Sequence, residues 1–147
     1  MIPRIWVPYE WEASIPILPI PKQSVKGGGM SFYTPPKERE YVAALTAEFQ
    51  KIKPAFAFDG PLILVFCFEF PMTQGDMKKY EKGKLKAVEP KTTNPDVDNL
   101  EKPVQDALQK AGVIVNDSRI SCKLSFKYVV PYSEGFVNVG LARFAWM

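Results

Sequence analysis

The chain has 147 residues, of which 46% are apolar and 13% aromatic, and its formal net charge is +3. That length and apolar content suffice for one domain with a buried core that needs no disulfide or metal staple. The absence of histidine excludes Ser-His-Asp and Cys-His nucleophile systems and histidine-ligated metals.

Acid–base chemistry therefore falls to Asp, Glu, Lys, Tyr or water activated by a metal. The two cysteines, Cys67 and Cys122, form no CxxC pair and sit in apolar or strand-like runs, which reads as buried free thiols in a reducing, cytoplasmic compartment. No apolar run reaches the length of a membrane span, and MIPRIWVPYEWE does not look like a secretory signal. A small positive charge with pI near 8.8 is compatible with nucleic acid without demanding it.

Taken in chain order, Ile2 to Tyr9 mixes apolar residues with prolines and reads as an edge strand or an extended arm. Ile15 to Leu18 is expected as a short strand ending in Pro19-Ile20-Pro21, followed by a basic loop with Gly27-Gly28-Gly29. Thr34-Pro35-Pro36 opens a helix, with Thr34 as N-cap and Pro35 at the first helical position. Its buried stripe is Val42, Leu45, Phe49 and Ile52, and Pro54 ends it. Pro61 to Phe70 is apolar on both faces and is expected at the centre of a sheet.

Residues 72–91 carry Lys78, Lys79, Lys82, Lys84, Lys86 and Lys91 and read as a solvated loop or a flexible phosphate-binding arm. A second helix follows, with Leu100, Val104, Ala107, Leu108 and Ala111 inward and Gly112 as its stop. Pro103 is expected in or near its first turn, where a missing amide does least harm. Val113 to Val115 is a short apolar step. Ile120 to Val130 and Phe136 to Phe144 read as two closing strands, with Ser133-Glu134-Gly135 as a hairpin turn between them. The whole reads as a single α+β domain, a mixed sheet packed by two main helices.

Chemistry concentrates in Asn94-Pro95-Asp96-Val97-Asp98-Asn99-Leu100-Glu101-Lys102. In an extended segment, Asp96 and Asp98 share a face, and paired carboxylates suit a hard cation such as Mg²⁺ or Mn²⁺. Lys102 lies one helical turn beyond Asp98 and can hold a phosphate oxygen or developing negative charge. Asp117 becomes a third carboxylate if its segment turns back beside the helix start. The spacing serves a structural role equally well: Asp98 with Glu101 makes a capping box, Asp117 is a common turn residue, and Asp106 pairs simply with Lys102. An EF-hand is excluded, because Leu100 and Glu101 replace residues that such a loop requires.

The run from Asn94 to Leu108, followed by Asn116-Asp117-Ser118-Arg119-Ile120, resembles the RusA family of Holliday junction resolvases, often carried by phages and prophages. The family pattern is D-x-D-N-L-x-K, then D-A-L, then an acidic pair. The resemblance is tight from Pro95 to Ile120, looser from Ile15 to Phe70 and weak over the last strands. It makes 1–14 an N-terminal extension and 72–91 a Lys-rich insertion loop.

The resemblance implies a homodimer that resolves four-way junctions by Mg²⁺-dependent hydrolysis, in a bacterial or phage-infected cell. It makes Asp96, Asp98 and Asp117 the metal-binding carboxylates and Lys102 the catalytic lysine. Asn116 departs from the pattern by standing where the family usually has an acid. Lys22, Lys26, Arg39, Lys78, Lys79, Lys82 and Lys84 are candidate phosphate contacts, and Phe32 and Tyr33 either stack on an unpaired base or pack on the first helix. Two rival functions are a DxD glycosyltransferase, for which the chain is short and lacks a nucleotide-binding glycine loop, and a non-catalytic branched-DNA-binding accessory protein with the same fold.

Overall fold

The most apolar stretch of the chain lies where both of its faces can be covered. Leu62 to Phe68 are all essentially buried, and the strand they form is the middle of the sheet. The computed structural model describes residues 2–23, 26–28, 31–33 and 35–146. In chain order the elements are β1 (Trp11–Ile15), β2 (Lys26–Gly28), β3 (Ser31–Tyr33), α1 (Pro36–Lys51), β4 (Leu62–Pro71), α2 (Gln74–Glu81), β5 (Glu89–Pro90), α3 (Val97–Lys110), a 3-10 turn at Asp117–Arg119, β6 (Ile120–Val130) and β7 (Phe136–Arg143). The fold is α+β, with one mixed five-stranded sheet in the order β1-β7-β4-β6-β5 and a separate two-stranded ribbon of β2 and β3. Among the described residues no helix is long and apolar enough to cross a membrane.

Alternation along β4 divides the core in two. Leu62, Leu64, Phe66, Phe68 and Phe70 face the helices and pack with Leu45 and Phe49 of α1 and Leu100, Val104 and Leu108 of α3. Ile63, Val65 and Cys67 face the other way, where the N-terminal segment covers them with Ile2, Ile5, Val7 and Tyr9. The segment is thus an extended arm rather than an edge strand. The Trp6 indole N–H donates to Ala145 O at 2.8 Å and the Tyr9 hydroxyl donates to Pro3 O. Gly140 answers to the arm, since a Cβ there would lie 2.5 Å from the Tyr9 ring. Both cysteines are free, Cys67 buried and Cys122 half-buried, and burial pushes the Cys67 thiol up to about 11.

The first main-sheet strand runs over Trp11–Ile15, upstream of the expected Ile15 to Leu18, and pairs antiparallel with β7. Pro16 and Pro19 supply no amide, so the ladder stops at Ile15. Residues 11–14, expected to belong to an extension, therefore form most of β1. In α1, the expected N-cap Thr34 lies outside the described residues; Pro35 is at the cap position and Pro36 starts the helix. Val42, Leu45 and Phe49 are buried as expected, while Ile52 caps the C-terminus and is exposed.

Residues 72–91 are more ordered than their lysines suggest. The Thr73 hydroxyl accepts the Asp76 amide at 3.1 Å and caps α2, whose Met77 and Tyr80 pack against the core; β5 then pairs with β6. The two last strands do not form a hairpin. β4 lies between them, parallel to β6 and antiparallel to β7. The connection through Ser133 and Gly135 crosses the end of β4, where the Ser133 hydroxyl donates to Glu69 Oε2 at 2.5 Å. Pro103 lies inside α3, in its second turn, rather than in the first.

Candidate active site

The segment leading into α3 is set by β6. The Lys127 ammonium donates to Thr93 O at 2.6 Å and to Pro95 O at 2.8 Å, and Lys127 O accepts the Lys91 amide at 3.0 Å. A strand in the sheet thereby fixes the residue just before Asp96. Asp96 is the N-cap of α3 in extended conformation, and Asp98 already belongs to the first helical turn. The shared-face geometry expected of an extended Asp96-Val97-Asp98 is therefore not realised, because helical backbone begins at Val97.

The Asp96 side chain makes no capping hydrogen bond, and among the described residues neither Asp96 nor Asp98 forms an ion pair. Both residues are exposed. The capping box of Asp98 with Glu101 does not form. Glu101 is 7% exposed and turned to the sheet, where the Ser125 hydroxyl donates to Oε2 and the Lys123 ammonium stands 3.2 Å from Oε1.

Asp117 does return to α3. Gly112 ends the helix at φ 81°, and Val113 to Val115 run beside Phe58, whose amide donates to Val113 O at 2.9 Å and whose carbonyl accepts the Val115 amide at 3.0 Å. The Asn116 side chain then accepts the Ser118 amide at 2.8 Å, so its oxygen is taken up by the 3-10 turn. The Asp117 amide donates to Gln109 Oε1 at 3.1 Å. Its carboxylate meets Lys102: the ammonium lies 3.1 Å from Asp117 Oδ2 and 3.1 Å from Asp106 Oδ1. The hydrogen bonds that the ammonium donates to Asp117 and then to Asp106 raise the Lys102 pKa above its usual value, so the ammonium stays charged.

One candidate carboxylate, Asp117, is thus joined to the candidate lysine, one turn of helix from Asp98. Among the described residues, no group of three or more Asp, Glu or Cys stands close enough to hold a metal ion. The donor set, three carboxylates with no nitrogen or sulfur, has the chemistry of a Mg²⁺ or Mn²⁺ site. In this arrangement the positive charge beside Asp117 is the Lys102 ammonium. Both ends of that pair are partly exposed, at 42% and 36%, so it is a surface ion pair worth about 0–1 kcal/mol and opens at little cost.

The basic candidates divide by position. Lys22 and Arg39 are exposed, and Lys78, Lys79, Lys82 and Lys84 are exposed on α2 and the turn after it. The side chains of Lys26, Phe32 and Tyr33 lie outside the described residues. A cleft of about 410 Å³ between α2 and the loop before α3 is lined by Asp76, Lys91, Thr92 and Thr93 among others. Sequence reasoning missed Lys127, Gln109 and the inward-facing Glu101. Only the α3–β6 packing reveals Lys127 and Glu101, and only the returning turn reveals Gln109.

Residues 16–133 match the family model described as endodeoxyribonuclease RusA. That span contains Asp96, Asp98, Lys102 and Asp117. No curated protein matches the chain.

Proposed function

Since the chain belongs to the RusA family of endodeoxyribonucleases, we propose that it resolves four-way DNA junctions by paired, symmetric hydrolysis of phosphodiesters, with Mg²⁺ or Mn²⁺ as the required metal. The observation that carries this reading is at the start of α3. Two exposed carboxylates there have no structural partner among the described residues, and the lysine one turn on draws a third to its side. An aspartate at the cap position ordinarily accepts a first-turn amide, and the Asp96 side chain does not.

Asp96, Asp98 and Asp117 would hold the metal, which when bound supplies Lewis-acid polarisation of the scissile phosphate. Lys102 would exchange Asp117 for a non-bridging phosphate oxygen, keeping its charge where negative charge develops. Asp106 would remain behind it and hold the ammonium in place. Lys127, by fixing Pro95, keeps the Asp96 backbone from drifting as the strand binds. Lys22, Lys26, Arg39 and the α2 lysines Lys78, Lys79, Lys82 and Lys84 would grip backbone phosphates, making affinity fall steeply with salt. Paired cuts need two active sites, so the working form is a two-fold homodimer matching the two-fold junction, acting in the cytoplasm of a bacterial or phage-infected cell. The chain is proposed to act as one domain.

The second reading is a non-catalytic protein that binds branched DNA. What favours it is the Lys102–Asp117 pair in the absence, among the described residues, of a three-carboxylate group. One assay separates the two: labelled four-way junction, linear duplex and flap DNA, each incubated with and without Mg²⁺. The nuclease reading expects metal-dependent symmetric nicks in the junction. Tight junction binding with no nick in Mg²⁺ or Mn²⁺ supports the accessory protein.

A further inference from the structure

Pro103 leaves a carbonyl free in the first turn of α3. In an uninterrupted helix the amide of residue 103 would bond to the carbonyl of Asn99, and proline has no amide to give. Asn99 O instead accepts the backbone amide of Lys22 at 2.7 Å. The next amide, that of Gln23, donates to Glu38 Oε1 at 3.1 Å, and Glu38 is a buried residue of α1. Upstream, Ile17 and Ile20 pack against the core. The strap from Pro16 to Gln23 is therefore tied to α3 on one side and to α1 on the other. In sequence it precedes the β2–β3 ribbon, which among the described residues shares no ladder with the main sheet.

We propose that Pro103 is a positioning residue and that Lys22 is the phosphate-contacting residue it positions. By withholding its own amide, Pro103 leaves Asn99 O to Lys22, and this docks the strap at Lys22 against the first turn of α3. Asn99 directly follows Asp98, so the exposed Lys22 side chain starts from backbone bonded next to the acidic pair. Its ligand is a phosphate of the DNA strand lying over Asp96 and Asp98. The assignment rests on the nuclease reading for its substrate, but the strap and its bond to Asn99 do not.

A proline in a helix interior ordinarily weakens the helix. Pro103→Ala therefore restores a helical amide that competes with Lys22 for Asn99 O, and a merely structural role predicts only a more stable protein. The proposal expects three results together. Amide exchange at Lys22 quickens roughly tenfold, the size of one net hydrogen bond. The melting temperature does not fall. KM for a four-way junction rises about fivefold to tenfold, with the change in KM rather than kcat.

Lys22→Pro tests the same bond from the other side, with Lys22→Ala as the variant that loses the charge but keeps the amide. Lys22→Pro should raise KM beyond Lys22→Ala, and Pro103→Ala should add nothing to Lys22→Pro. Unchanged Lys22 exchange and unchanged KM in Pro103→Ala, in a protein that cuts junctions normally, overturn the proposal. Absence of cutting by the wild-type protein instead overturns the nuclease reading, and the same variants are then compared by junction Kd, where equal affinities again overturn the role of Lys22.

Discussion

The two sides of α3 treat their acids differently. On the side facing β6, Glu101 is buried, accepts a hydrogen bond from Ser125 and pairs with Lys123. At the solvent-facing start of the helix, Asp96 and Asp98 stand exposed and without a partner among the described residues. The same residue chemistry is thus structural where the sheet satisfies it and free where the sheet does not reach. An unpartnered acid at a helix N-terminus contributes a little through the helix dipole, but its lone pairs remain open to a ligand.

The largest expected effect breaks the comparison most sharply. Asp98→Asn should lower junction cleavage by roughly 10²–10³-fold, the scale of losing one group that acts on developing charge, while Kd for the junction and thermal stability stay near wild type. A large loss of stability in that variant would mean that Asp98 is structural after all. Lys102→Ala should lower single-turnover cleavage by about 10²-fold. Glu101→Ala should behave in the opposite way: denaturant titration should register a loss of about 1–3 kcal/mol, because a part-buried Ser125 hydroxyl is left without its acceptor. The smallest effect is Asp106→Asn, which opens one exposed i,i+4 pair and should cost about 0.3–0.5 kcal/mol in the same titration.

Much of this architecture is readable from local pattern. An uninterrupted apolar run made β4 central, and 3.6-residue spacing marked the inner faces of α1 and α3. Pairings over long sequence distances were not readable: nothing local shows that β4 separates β6 from β7 or that β1 begins at Trp11. The lysines of 72–91 masked the short apolar pair, Met77 and Tyr80, that seats α2. In the site, Asp96, Asp98 and Lys102 stand out because they fall close together in sequence, at the cap and in the first two turns of a single helix. Asp117 needs the turn beside Phe58 to reach Lys102, and Glu101 looked like a cap because its partners lie on a strand 22 and 24 residues further along. Pro103 was expected in or near the first turn and lies in the second, and its consequence, a carbonyl given to Lys22, depends on a segment far away in the sequence.

The central claim is that Asp96, Asp98 and Asp117 act on one divalent ion beside Lys102. Mn²⁺ binding to the purified protein, followed by electron paramagnetic resonance, tests it most directly. Wild-type protein should bind Mn²⁺, and Asp98→Asn and Asp117→Asn should each weaken binding by about tenfold or more. Mn²⁺ affinity that is unchanged by Asp117→Asn would contradict the account, because residue 117 would then belong only to the ion pair with Lys102.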